Sequence, residues 1–167
     1  MFCNCRDSKG FSLQQFEIKN TQLESIIHSF VDSIAKVEDL SNSIPIMALH
    51  RLDSFPTFYF TIVEKEDVSH SCIFDKNRRI VGYIKTKSKD MIVLTTENSK
   101  FYFQMEFYKF LIPTNHTKQF DFIYFPDDMY CVPDEKGIPC PPLLFEPNYK
   151  VFICRNEMLE IYSACSH

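Results

Sequence analysis

The sequence predicts an α+β domain in which one long N-terminal amphipathic helix packs on a mainly antiparallel, meander-like β-sheet. Three observations predict it. From Thr21 onward, Leu23, Ile26, Ile27, Phe30, Val31, Ile34 and Val37 recur at helical spacing and form one continuous apolar stripe. A series of short segments rich in β-branched and aromatic residues follows, each bounded by turn formers. Two aromatic runs, KFYFQMEFYKFLI from Lys100 to Ile112 and QFDFIYF from Gln119 to Phe125, then place apolar side chains on both faces, as in a buried sheet.

Residues 1–10 read as a flexible N-terminal segment and residues 11–167 as a single α+β domain. A first strand is expected in FSLQQFEIKN. In the helix that follows, Thr21 and Glu24 fit a capping box, where each side chain satisfies an exposed amide of the first turn. His28 lies off the apolar stripe and reads as a solvated histidine. Strands are expected in IMALHRL (46–52), TFYFTIV (57–63), SCIFD (71–75), RRIVGYIKT (78–86) and DMIVLTT (90–96), with hairpin turns at DKN (75–77) and KSK (87–89). The run from Lys100 to Ile112 alternates as a strand does, and Pro113 is expected to stop it. Phe103, Phe107, Phe110 and Leu111 also fall on one face of a helix, so its later half fits a helix as well. A last pair, YKVFICR (149–155) and EMLEIYSA (157–164), completes a sheet of about five to seven strands, a usual size.

Composition bounds the function. The chain has 167 residues, 45% of them hydrophobic and 24% charged, which suits one globular domain without wholesale disorder. Its 3 glycines are far apart and form neither a GxGxxG nor a GxxxxGK loop, so neither standard phosphate cradle is present. Net charge is −4, which gives no global field for a polyanion, and no nucleic-acid partner is expected. No run reaches the roughly 18 apolar residues of a membrane span.

The 7 cysteines leave the redox compartment open. In a reducing compartment most would be small buried hydrophobes; in an oxidising one, Cys131 and Cys140 bracket a proline-rich loop and are a candidate disulfide. No CxxC is present, and the histidines, at 28, 50, 70, 116 and 167, are scattered singly, so neither a metal site nor a cofactor is expected. No cysteine lies in a recognisable nucleophile motif. The pattern Asn115-His116-Thr117 fits a glycosylation acceptor but is too short to carry a role, and Cys165 near His167 reads as a terminus.

Two features point to contacts with a partner. The segment from Pro126 to Pro147 holds six of the 9 prolines together with Val132, Ile138, Leu143, Leu144 and Phe145 inside an acidic rim. It reads either as a binding loop or as a cover over a sheet edge. The second feature is a basic cluster, Lys76, Arg78, Arg79, Lys85, Lys87 and Lys89, which reads either as solvated turns or as a docking patch for an acidic partner. Of these, Lys85, Lys87 and Lys89 join the loop as candidate partner-binding residues.

At the N-terminus an apolar residue precedes Cys3 and Cys5 and a short polar tether, CRDSKG, follows. This stretch is similar to that around the modified cysteine of a bacterial lipoprotein. The resemblance covers fewer than ten residues, with Asn4 where a small residue is expected, and implies lipidation at Cys3 or Cys5. The expected function is therefore a non-enzymatic protein-binding or accessory module, placed in the cytoplasm or lipid-anchored in a bacterial cell envelope. The alternative is a small cysteine-dependent enzyme without a recognisable motif.

Overall fold

A computed structural model of the chain describes residues 11–37, 39–52, 54–64, 78–96, 107–120 and 150–162. The expectations for Cys3, Cys5, the 71–75 strand, the DKN turn, the aromatic residues at 100–106 and 121–125, the 126–147 loop with Cys131 and Cys140, and the terminal Cys165 and His167 lie outside these residues.

The described elements run β1 (Phe11–Ile18), α1 (Thr21–Ala35), β2 (Ser43–Leu52), β3 (Phe55–Glu64), β4 (Arg78–Ile84), β5 (Met91–Thr96), β6 (Leu111–Phe120), β7 (Lys150–Arg155) and β8 (Met158–Ile161). They form one helix and an eight-stranded sheet in the order β6-β1-β4-β5-β2-β3-β7-β8. Five of the seven pairings are antiparallel, and β1–β4 and β2–β5 are parallel. The α+β class and the mainly antiparallel sheet stand; the meander does not. A meander pairs each strand with its sequence neighbour, whereas α1 separates β1 from β2 and β1 docks instead between β6 and β4.

The helix is also shorter than the long element expected. It spans 15 residues and ends at Ala35, so Val37 falls beyond it and is 74% exposed. Leu23, Ile27, Phe30, Val31 and Ile34 form its buried stripe. Its N-cap is Asn20, not Thr21: the Asn20 side chain accepts a hydrogen bond from Leu23 N at 2.8 Å, and its carbonyl accepts one from Glu24 N at 2.9 Å. Asn is among the best capping residues because its short amide oxygen reaches the free first-turn amides, which moves the start of the helix back by one residue.

Both faces of the sheet are buried. On the α1 face, Met47, Leu49, Phe58, Phe60, Val93 and Leu159 join the helix stripe, with Phe58 packed edge-on against Phe107 at 5.6 Å and Phe110 at 5.0 Å between ring centres. The opposite face buries a second cluster that includes Ile44, Ile46, Ala48, Tyr59, Tyr83, Ile92 and Leu94. This two-sided burial explains why every residue from Ser43 to Leu49 is buried, a near-continuous apolar run rather than an alternation.

Strand β6 is the main departure from expectation. The chain makes a turn at Phe107–Phe110, closed by Phe110 N on Phe107 O at 2.8 Å, and becomes extended only at Leu111. Pro113 does not stop it. Among the described residues β6 is an outer strand and pairs with β1 alone, so a missing amide is tolerated there, next to an irregularity between Gln14 and Phe16. Pro45 is accommodated similarly, because β2 pairs with β5 only from Ile46 onward.

Candidate functional site

The candidate partner-binding residues that fall among the described ones are Lys85, Lys87 and Lys89, and they share one turn. Ile84 pairs with Met91, leaving Lys85–Asp90 to connect β4 to β5. Thr86 closes this connection locally: its hydroxyl accepts from Lys89 N at 3.1 Å and donates to Lys89 O at 2.5 Å. A hydroxyl that bonds the backbone three residues on substitutes for a turn amide and stiffens a stretch that contains no glycine or proline.

Three long-range contacts then tie the turn to its surroundings. The Ser88 hydroxyl donates to the Asp32 carboxylate on α1 at 3.1 Å. Lys89 reaches the segment after the helix, where its ammonium donates to the carbonyls of Leu40 and Ser41. On the far side, Lys118 of β6 pairs with Asp90 at 2.5 Å. That hydrogen bond with Asp90 outweighs slight desolvation and holds the Lys118 ammonium above the usual lysine range.

The nearby carboxylates are thus engaged. Asp32 accepts from Ser88, Asp90 from Lys118, and Asp39 from the Ser41 amide at 2.9 Å and the Ser41 hydroxyl at 2.8 Å. The bonds from Ser41, backbone first, keep the exposed Asp39 carboxyl below its ordinary range, with Lys89 adding attraction. Lys89 is consumed as an anchor. Lys85 and Lys87 remain exposed, and among the described residues no carboxylate pairs with either. The structure therefore divides the three lysines, one turned inward to hold the turn and two turned outward on it.

Sequence reading missed the contributors that make this turn rigid, Asp32, Ser88 and Lys118. They lie 56 and 28 residues from their partners, and nothing local announces such pairings. Thr86 was expected at the end of the 78–86 strand with the turn at KSK (87–89), whereas it closes the turn itself on Lys89.

Among the described residues the remaining reactive groups do not converge. Cys154 on β7 is buried in the α1-side core, and burial pushes its thiol up, a shift that Lys109 only partly opposes. This is the opposite of thiolate activation. His28 is half-exposed and lies 3.9 Å from Glu24 on its own helix, as expected for a solvated residue. His50 stands edge-on to Tyr59 at 6.0 Å, and His116 is exposed on β6. Among the described residues no group of three His, Cys, Asp or Glu side chains could hold a metal ion, and no helix is long and apolar enough to cross a membrane. No known family model matches the sequence, and neither a curated protein nor a solved structure matches it.

Proposed function

We propose that this protein is a non-enzymatic protein-binding or accessory module and that the Lys85–Asp90 turn is part of its contact surface, presented to an acidic partner. One observation carries the reading: Lys85 and Lys87 project from a turn whose own neighbours, Thr86, Ser88 and Lys89, are all fixed by hydrogen bonds. A fixed turn loses little backbone freedom on association, so the ordering cost of drawing carboxylates to its two exposed ammonium groups is confined to the lysine side chains. The apolar residues Val132, Ile138, Leu143, Leu144 and Phe145 belong to the same proposal as hydrophobic anchors, on sequence grounds alone. So does lipidation at Cys3 or Cys5, which would place the module at a cell envelope.

Affinity capture from the native source, with intact-mass analysis of the recovered protein, tests the proposal. A stoichiometric partner whose association rate falls at least tenfold in Lys85→Glu/Lys87→Glu supports it. Undiminished capture by that variant removes the turn from the interface. Capture of the protein alone and without added lipid mass removes both the partner and the envelope placement.

A further inference from the structure

At the other end of the described sheet lies β8. The hairpin from β7 to β8 turns in two residues, Asn156 and Glu157, with Arg155 opposite Met158. Hydrogen bonding in such a hairpin alternates, so pairs in register with Arg155–Met158 bond across the hairpin and intervening pairs do not. The bond from Tyr162 N to Val151 O at 2.9 Å fixes that alternation. It follows that the amide and carbonyl of Leu159, and those of Ile161, point away from β7 toward the outer edge.

At Leu159 that edge is occupied by a side chain. Gln22 of α1 accepts from Leu159 N through Oε1 and donates to Leu159 O through Nε2, both at 2.8 Å. One primary amide thus makes the same donor–acceptor pair that a residue of a further β-strand would make. Beyond its reach no further strand adjoins β8 among the described residues, and two apolar side chains are solvent-facing: Met158 is 57% exposed and Ile161 is 75% exposed. Unpaired amides and carbonyls along a strand edge are a template for another strand, and apolar side chains beside them favour the pairing.

We propose that Gln22 is a clasp that holds β8 closed, and that removing its amide opens this edge to antiparallel pairing with β8 of a second copy of the chain. A second copy fits because the outward groups of Leu159 and Ile161 are two residues apart on one strand. Under two-fold symmetry each Leu159 pairs with the Ile161 of the other copy, so the same surface completes both sides. Glu160 meets its own copy at the centre of that arrangement, a like-charge contact that opposes pairing alongside Gln22.

Sedimentation of the full chain over a hundredfold concentration range tests this with Gln22→Met, which keeps the length and the apolar stem and loses both polar atoms. The expected result is a mass that rises toward the dimer with concentration in Gln22→Met, with no such rise at equal concentrations in the parent. Adding Ile161→Lys to Gln22→Met places a charge on the edge and should return the mass to that of the parent. A cooperatively folded Gln22→Met whose mass tracks the parent overturns the proposal, as does association that survives Ile161→Lys. Loss of cooperative folding in Gln22→Met also overturns it, since Gln22 would then be a requirement of the fold rather than a guard upon it.

Discussion

Replacing Gly82 with alanine should destabilise the protein by forcing two strands of the sheet apart. Gly82 lies in β4 beside β1, and a Cβ built there would sit 2.3 Å from the carbonyl oxygen of Gln14 and 2.4 Å and 2.7 Å from two ring carbons of Phe16. Carbon and carbonyl oxygen normally approach no closer than about 3.3 Å, so β1 and β4 must separate by roughly 1 Å at this point. The parallel ladder between them is short, with Gln15 opposite Tyr83 and Phe16 opposite Ile84. Stretching it weakens about two hydrogen bonds, each worth roughly 1 kcal/mol. Phe16 is buried and must also leave its rotamer, at about 1 kcal/mol. Against this, alanine restricts the unfolded chain and returns about 0.5 kcal/mol. The net is a loss of roughly 2–3 kcal/mol, or about 4–12 °C in Tm for a chain of this size. Urea unfolding followed by far-UV circular dichroism measures it. Phe16→Leu in the Gly82→Ala background should recover part of the loss, because it removes the ring atoms but leaves the carbonyl. An unchanged or raised midpoint for Gly82→Ala would refute the argument, since it would mean the two strands can part freely.

Three further outcomes are expected. Glu157→Gly should stabilise the protein by about 1 kcal/mol, read as an increase in urea midpoint, because Asn156 and Glu157 have φ of 48° and 67° and glycine meets no Cβ penalty there. The Lys118–Asp90 pair is surface-exposed on the lysine side, so Asp90→Asn should cost less than about 1 kcal/mol at neutral pH. The Lys118 pKa is raised in the folded state, so the pair contributes below the ordinary lysine pKa and is lost as pH rises through the folded value. Stability curves of parent and variant should therefore converge only at pH values above the ordinary lysine range. Cys154 should react with a maleimide about tenfold or more slowly in the folded than in the unfolded chain, resolved by peptide mapping; rapid labelling at this position would revive the cysteine-enzyme alternative.

What the sequence made legible follows from the range of each interaction. The stripe from Leu23 to Ile34 was readable because burial repeats at the helical period, and the strands around Met47, Phe60 and Ile92 because burial on both faces makes each a short apolar run rich in β-branched and aromatic residues. The helix start was misplaced by one residue because Thr21 and Asn20 are both good caps, and only the geometry distinguishes them. β6 was missed because Pro113 and the polar run Asn115–Gln119 resemble a loop; an outer strand that buries little carries no apolar alternation. Strand order was invisible, since the periodicity of β1 says nothing about whether β2 or β4 lies beside it. In the candidate site the lysines themselves were visible, but the inward turn of Lys89 toward Leu40 and the Gln22 clasp on Leu159 join residues 49 and 137 positions apart.

The strand order also has a temporal consequence. β3 acquires its outer neighbour only when β7 arrives, and Thr57 must wait for Ile153 to pair with it. β1 likewise waits for β4, with Gln15 opposite Tyr83. Pairings so distant along the chain close large loops before any contact rewards them, which places this domain among slow folders rather than fast ones. During synthesis the N-terminal strands and the central β2–β3 hairpin are complete while the edge of β3 is still unpaired. The newly made chain therefore passes through a stage with an apolar strand edge exposed, and the last residues of the sheet are the ones that end it.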